Sequence, residues 1–247
     1  MSPGGGGAPV LVVIADSLSF HGPDRAEPAD EPRLWPHVAG RAAGGRAELH
    51  AGLGWTARHA WRAMLGDPRI WASLRHADAV VLGVGGMDTL PSPLPTALRE
   101  LIPAVRPSWL RRSVRDAHRW MTPRAARVLG RAGPVALPPG ETVRYLERLR
   151  VAVTTLIPGL PVVGVLPAVH RAPLYGGVHA GRDRHVAALT AWASSRGVLL
   201  VDPVPLVADH VLGGHGNPDG IHWGWAAHEA VGQAVGREVA AALRARS

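Results

Sequence analysis

The chain has 247 residues, 47% of them hydrophobic, and 27 basic against 19 acidic side chains. That length suits one α/β domain with a sizeable core. The absence of cysteine excludes disulfides, thiolate metal sites and a cysteine nucleophile. The formal charge of +8 comes entirely from arginine, since there is no lysine, and it is local: nine Arg in residues 91–140 meet only Glu100 and Asp116, a net of +7. A local cluster points to a small anionic ligand, whereas nucleic acid would call for a basic coat over a whole face.

In chain order, residues 1–8 read as a flexible Gly-rich tail, and residues 9–247 as a single domain. Strands are expected at 10–15, 47–51, 79–84, 162–166 and 198–201, because each is a short apolar run bounded by turn residues. Helices are expected at 34–43, from the turn at 52–56 to about 65, at 184–196 and at 223–244. Residues 21–32, rich in Pro, Asp and Glu, read as a loop. Strands alternating with helices predict an α/β fold with a doubly wound, five-stranded parallel sheet, whose ligands bind beyond the carboxyl ends of the strands. Ser17, Gly54 and Asp88 fall at that edge. No stretch of about 18 apolar residues occurs, so no membrane span is expected. The first apolar run has no basic residue before it, unlike a secretory signal, and a cytoplasmic location is expected.

Residues 91–140 interrupt the alternation as an insert, or cap, after the third strand. On a helical wheel Leu110, Val114, Ala117 and Met121 share one face, and Arg111, Arg112, Arg115 and Arg119 the other. This helix is either a packed element with a solvated Arg face or a cap that receives an anionic or acyl ligand.

The most informative pattern joins the two ends of the chain. Leu11-Val12-Val13-Ile14-Ala15-Asp16-Ser17 is a buried-type strand ending on a serine, and Asp219 and His222 stand in D-x-x-H spacing just before the last helix. Such a set can form a charge-assisted relay: His takes the Ser proton and Asp holds the imidazole tautomer. Each residue also has a plainer reading: Ser17 as a helix cap, Asp219 as an N-cap, His222 as one surface histidine among thirteen. Asp16 reads as structural, bonding backbone near Ser17. His170, His179 and His185 lack tight ligand spacing, so no metal is expected. His210, His215 and His228 are near Asp219 and His222 in sequence only.

These landmarks resemble the SGNH, or GDSL-like, hydrolase family. Ala15-Asp16-Ser17-Leu18 stands for its G-D-S-x block with Ala for Gly, Gly54 for its second-block glycine, Gly85-Gly86-Met87-Asp88 for G-x-N-D, and Asp219-Gly220-Ile221-His222 for D-x-x-H. The resemblance implies Ser17 as nucleophile, His222 as base, Asp219 as its orienter, and the Ser17 and Gly54 N–H groups as oxyanion donors. Met87 replaces the Asn whose side chain helps bind the oxyanion, and a thioether donates nothing. Losing one such donor costs roughly 2.7–4 kcal/mol of transition-state stabilisation.

A closer similarity is to the actinobacterial octanoyltransferases that acylate diglucosylglycerate. It is carried by Pro32-Arg33-Leu34-Trp35-Pro36, Gly54-Trp55-Thr56, Gly85-Gly86-Met87-Asp88-Thr89-Leu90-Pro91-Ser92, Arg106-Pro107-Ser108-Trp109-Leu110-Arg111-Arg112 and Gly216-Asn217-Pro218-Asp219-Gly220-Ile221-His222-Trp223. It implies transfer of an octanoyl group from its CoA thioester to a sugar hydroxyl in methylglucose lipopolysaccharide biosynthesis, with acyl-CoA as donor substrate and no separate cofactor. Met87, Asp88, Trp223 and the insert residues Arg99, Arg106, Arg111, Arg112, Arg115 and Arg119 are then candidate substrate contacts. With water as acceptor the same site is an esterase or deacylase. With an inert site the chain is an acyl or glycan binder.

Overall fold

The computed structural model describes residues 7–92, 106–130, 133–179 and 181–246. Five strands, β1 (Val10–Asp16), β2 (Arg46–Gly52), β3 (Ala79–Gly83), β4 (Val162–Val165) and β5 (Leu199–Val201), form one sheet. All neighbours are parallel, in the order β2-β1-β3-β4-β5. The doubly wound sheet read from the alternation is thus present. β1 lies inside the sheet and is buried along its whole length, which explains its unbroken apolar run.

Alternate residues of each strand serve opposite faces. Val12, Ile14, Val80, Leu82 and Val162 pack on one side against α2 (Ala57–Gly66), α3 (Pro68–Leu74), α5 (Pro139–Leu156) and α6 (Arg182–Arg196). Leu11, Val13, Ala15, Val81 and Val163 pack on the other against α1 (Trp35–Ala42), α7 (Val204–Leu212) and α8 (Trp225–Arg246). In α8 the four-residue spacing of Ala227, Val231, Val235 and Val239 makes the buried stripe. Each of the three valines contributes roughly 1.5–3 kcal/mol when fully buried.

Three helices escape the sequence reading: α3, α5 and α7. Each begins with a Pro at its first or second position. Pro punctuates a chain, yet at that position its missing N–H costs nothing and its fixed φ starts the helix.

The insert is closed at its base. Pro91 and Val135 form an antiparallel bridge, Ser92 N–H donates to Pro134 O, and Ala136 N–H donates to Leu90 O. Within it α4 (Ser108–Leu129) forms where the wheel placed a helix. Of the predicted apolar face Val114 is half-buried, but Ala117 and Met121 are exposed, as are Trp109 and Trp120. The helix meets the body through its second half, where Thr122 and Ala126 are buried. Among the described residues no helix is long and apolar enough to cross a membrane.

Candidate active site

β1 delivers Ser17 to the carboxyl edge of the sheet, into a single 3-10 turn, Ser17–Ser19. Asp16 caps that turn: its Oδ1 accepts from Leu18 N at 3.0 Å, and Ser19 Oγ donates to Asp16 O at 2.7 Å. Asp16 is therefore structural, as expected from sequence. Burial pushes its carboxyl up to about 7; the Leu18 N–H pulls the other way, and the nearby Asp88 adds to the rise. Ser17 itself is 3% exposed.

The D-x-x-H segment is a tight loop tied on itself. Asn217 N–H donates to His222 O, Asn217 Oδ1 accepts from Asp219 N, and Asp219 Oδ1 accepts from Ile221 N and His222 N at 2.8 and 3.1 Å. Gly220 has φ +74°, and a Cβ there would sit 2.9 Å from the backbone of Arg171 and Ala172. Only glycine lets the loop lean on the segment after β4, where Arg171 N–H donates to Gly220 O.

The folded chain brings Ser17, His222 and Asp219 together. Asp219 Oδ2 is 2.5 Å from His222 Nδ1, and His222 Nε2 is 2.9 Å from Ser17 Oγ. Although partial burial pushes the Asp219 carboxyl up, its bonds from Ile221, His222 N–H and the His222 ring leave it below the usual carboxylate range. An ionised carboxylate only accepts, so Nδ1 carries the ring proton and Nε2 is bare towards the Ser17 hydroxyl. Burial holds His222 below the ordinary histidine value, against the pull of Asp219. The imidazole is thus neutral and ready to accept a proton at neutral pH.

Gly54 occupies the turn between β2 and α2 at φ +68°, and its N–H has no partner among the described residues. Met87 lies beside it: a Cβ on Gly54 would stand 3.9 Å from Met87 Cε. The thioether thus lies beside the Gly54 turn.

Two candidate substrate contacts are buried side chains. Asp88 is fully buried; it accepts from Ala57 N, at the start of α2, at 3.1 Å and from Thr142 Oγ1 at 2.8 Å. It joins α2 to α5. Trp223 is 1% exposed and belongs to the core under α1 and α8. Arg106 and Arg112 are exposed at the start of α4. Arg99 lies outside the described residues, as do the side chains of Arg111, Arg115 and Arg119.

Two histidines near the site were not anticipated. The His21 ring, placed by sequence only in a loop, stacks on His222, with centroids 3.9 Å apart and planes 16° apart. His228, read from sequence as near Asp219 and His222 in sequence only, is fully buried directly behind the site, its Nε2 3.1 Å from His21 O. No local pattern signals either contact. Of the three histidines considered for metal, His170 and His179 adjoin, while His185 bonds Gly181 O and Leu137 O. No group of three or more His, Cys, Asp or Glu able to hold a metal is found among the described residues.

Solved structures share this architecture. A carbohydrate acetylesterase family member from Sinorhizobium meliloti aligns with a TM-score of 0.62 at 15% identity, covering 96% of this chain and 99% of that one. The lipase/acylhydrolase from Enterococcus faecalis aligns with a TM-score of 0.60 at 13% identity, covering 94% and 96%. At such identities they establish the fold alone. No protein-family model matches the chain. Curated relatives are far nearer in sequence. The diglucosylglycerate octanoyltransferase of Mycolicibacterium hassiacum is 50% identical over 237 residues, spanning 96% of this chain and 97% of its own length. That of Mycobacterium tuberculosis is 49% identical over 242 residues, spanning 98% and 96%. The chain belongs to the diglucosylglycerate octanoyltransferase family.

Proposed function

We propose that this chain moves an octanoyl group from octanoyl-CoA to a hydroxyl of diglucosylglycerate through an acyl-enzyme on Ser17. The observation that carries the reading is the continuous relay Asp219–His222–Ser17, at 2.5 and 2.9 Å, in a chain half identical to enzymes of that name.

In the first half-reaction Ser17 Oγ attacks the thioester carbonyl and its proton passes to His222 Nε2. The C–S bond breaks, and His222 returns the proton to the departing thiolate. In the second, a sugar hydroxyl attacks the acyl-enzyme and gives its proton to His222. The bond from the acyl carbon to Oγ breaks, and the proton returns to Ser17. Asp219 holds the imidazole and offsets its charge while it is protonated. The N–H groups of Ser17 and Gly54 face the oxyanion, with no donor from Met87. CoA phosphates and the glycerate carboxylate are anions suited to the guanidinium groups of the insert, Arg106 and Arg112 among them. A CoA thioester donor supports the cytoplasmic location expected from the sequence.

The test is acceptor dependence. Purified protein is given octanoyl-CoA with and without diglucosylglycerate, and the products are weighed by mass spectrometry. Octanoylated glycoside is expected to form much faster than free octanoate. Equal octanoate release with and without the glycoside would replace the transferase with the esterase reading.

A further inference from the structure

His21 stands on the nucleophile's own turn: its backbone N–H donates to Ser17 O at 2.9 Å. Its ring lies face to face with His222. Its Nδ1 is 2.9 Å from Gly22 O. A carbonyl can only accept, so Nδ1 carries the proton and Nε2 presents a lone pair. That Nε2 has no partner among the described residues, and the ring is partly exposed.

The position is built from behind. Trp35 N–H donates to His228 Nδ1 at 3.2 Å, so the other nitrogen of His228 bears the hydrogen. That Nε2–H donates to His21 O at 3.1 Å. Burial brings His228 down to about 4, which keeps it neutral and this tautomer in force. The backbone of residues 20–27 is pinned further by Glu27 N–H to Phe20 O and Gly22 N–H to Arg25 O. A buried histidine thus fixes an accessible one, whose ring lies against the base.

A stacked ring need only be flat and apolar to support His222. A bare nitrogen is a hydrogen-bond acceptor, and what approaches His222 in the second half-reaction is a hydroxyl. A sugar brings neighbouring hydroxyls at hydrogen-bonding separation from the reacting one; water does not. We propose that His21 is the acceptor-orienting residue of this site: its Nε2 takes the hydrogen of a sugar hydroxyl adjacent to the one that His222 deprotonates. This rests on the transferase reading. The contact is available only to the sugar, so it favours transfer over hydrolysis of the same acyl-enzyme.

Two variants separate this role from simple stacking. His21→Phe keeps a flat ring and removes the nitrogen. His21→Gln removes the ring and keeps an acceptor. With octanoyl-CoA as donor and diglucosylglycerate as acceptor, the ratio of octanoylated glycoside to free octanoate is measured for each. His21→Phe is expected to lower the ratio at least tenfold and to raise the acceptor KM, with His21→Gln retaining more of the ratio than His21→Phe. The reverse order, or a His21→Phe ratio within twofold of wild type, overturns the proposal and leaves His21 a stacking support. If the wild-type protein itself gives octanoate regardless of acceptor, the transferase reading fails first and takes this role with it. The wild-type control therefore tells the two failures apart.

Discussion

At the scale of residues, the chemistry rests on three side chains acting as one relay. Ser17→Ala removes the attacking oxygen and His222→Ala the group that takes its proton. Each is expected to lower kcat by several orders of magnitude, and the double variant by little more, because either loss stops the same step. Steady-state rates on octanoyl-CoA check this, and multiplied losses would mean that the two residues serve separate steps. The pH profile follows from burial. His222 must be neutral to accept the Ser17 proton, and desolvation disfavours its charged form. Lowering the pKa moves the acid limb of kcat/KM downward, so activity rises with pH through a midpoint below about 6.5, the ordinary histidine value. A midpoint at or above that value would show that the Asp219 carboxylate outweighs burial. Ser17, Asp219 and His222 were legible in the sequence because each sits in a short local motif. The His21 stack was not, because nothing near residue 21 reveals a ring brought in from the opposite end of the chain.

At the scale of elements, the third block serves the fold more than the substrate. Sequence placed Asp88 at the ligand edge, and the strand end does lie there. The following 3-10 turn, Met87–Thr89, points the carboxylate inward, under the first turn of α2. The start of a helix has unpaired N–H groups that need acceptors, and Asp88 supplies one from a distant segment. Asp88→Ala leaves the buried Ala57 N–H without its acceptor, at about 1–3 kcal/mol for such a group, and Thr142 Oγ1 with only its 3.3 Å bond to Pro138 O. A melting temperature lower by several degrees is expected, given about 2–4 °C per kcal/mol in a chain of this size. Asp88→Asn, which keeps an acceptor oxygen, is expected to lose less. An unchanged Tm in Asp88→Ala would show that the connection carries no stability. The strands were legible because apolar runs between turn residues have few other readings. The helices α3, α5 and α7 were not, since the proline that starts each one looks in sequence like the proline that stops one.

At the scale of the whole molecule, charge and exposed apolar surface coincide. The body is close to neutral, and the excess of arginine lies in the insert, whose helix α4 leaves Trp109 and Trp120 60% and 62% exposed. The wheel identified this helix but not its packing, because periodicity shows which residues share a face and not whether anything covers it. Arg106, just before α4, and Arg112, in its first half, lie on the surface, and Asp116 is the sole acid of this helix. Exposed cations act over a Debye length of about 10 Å at 0.1 M salt and about 3 Å at 1 M. The prediction is that kcat/KM for octanoyl-CoA falls as ionic strength rises, while that for a neutral octanoyl ester changes little. Arg106→Ala and Arg112→Ala should each flatten the dependence on salt for the CoA donor alone, because each removes one charge that attracts phosphate and leaves Ser17, His222 and Asp219 in place. Equal salt slopes for the CoA and the neutral donor would show that the arginines of the insert play no part in binding the donor.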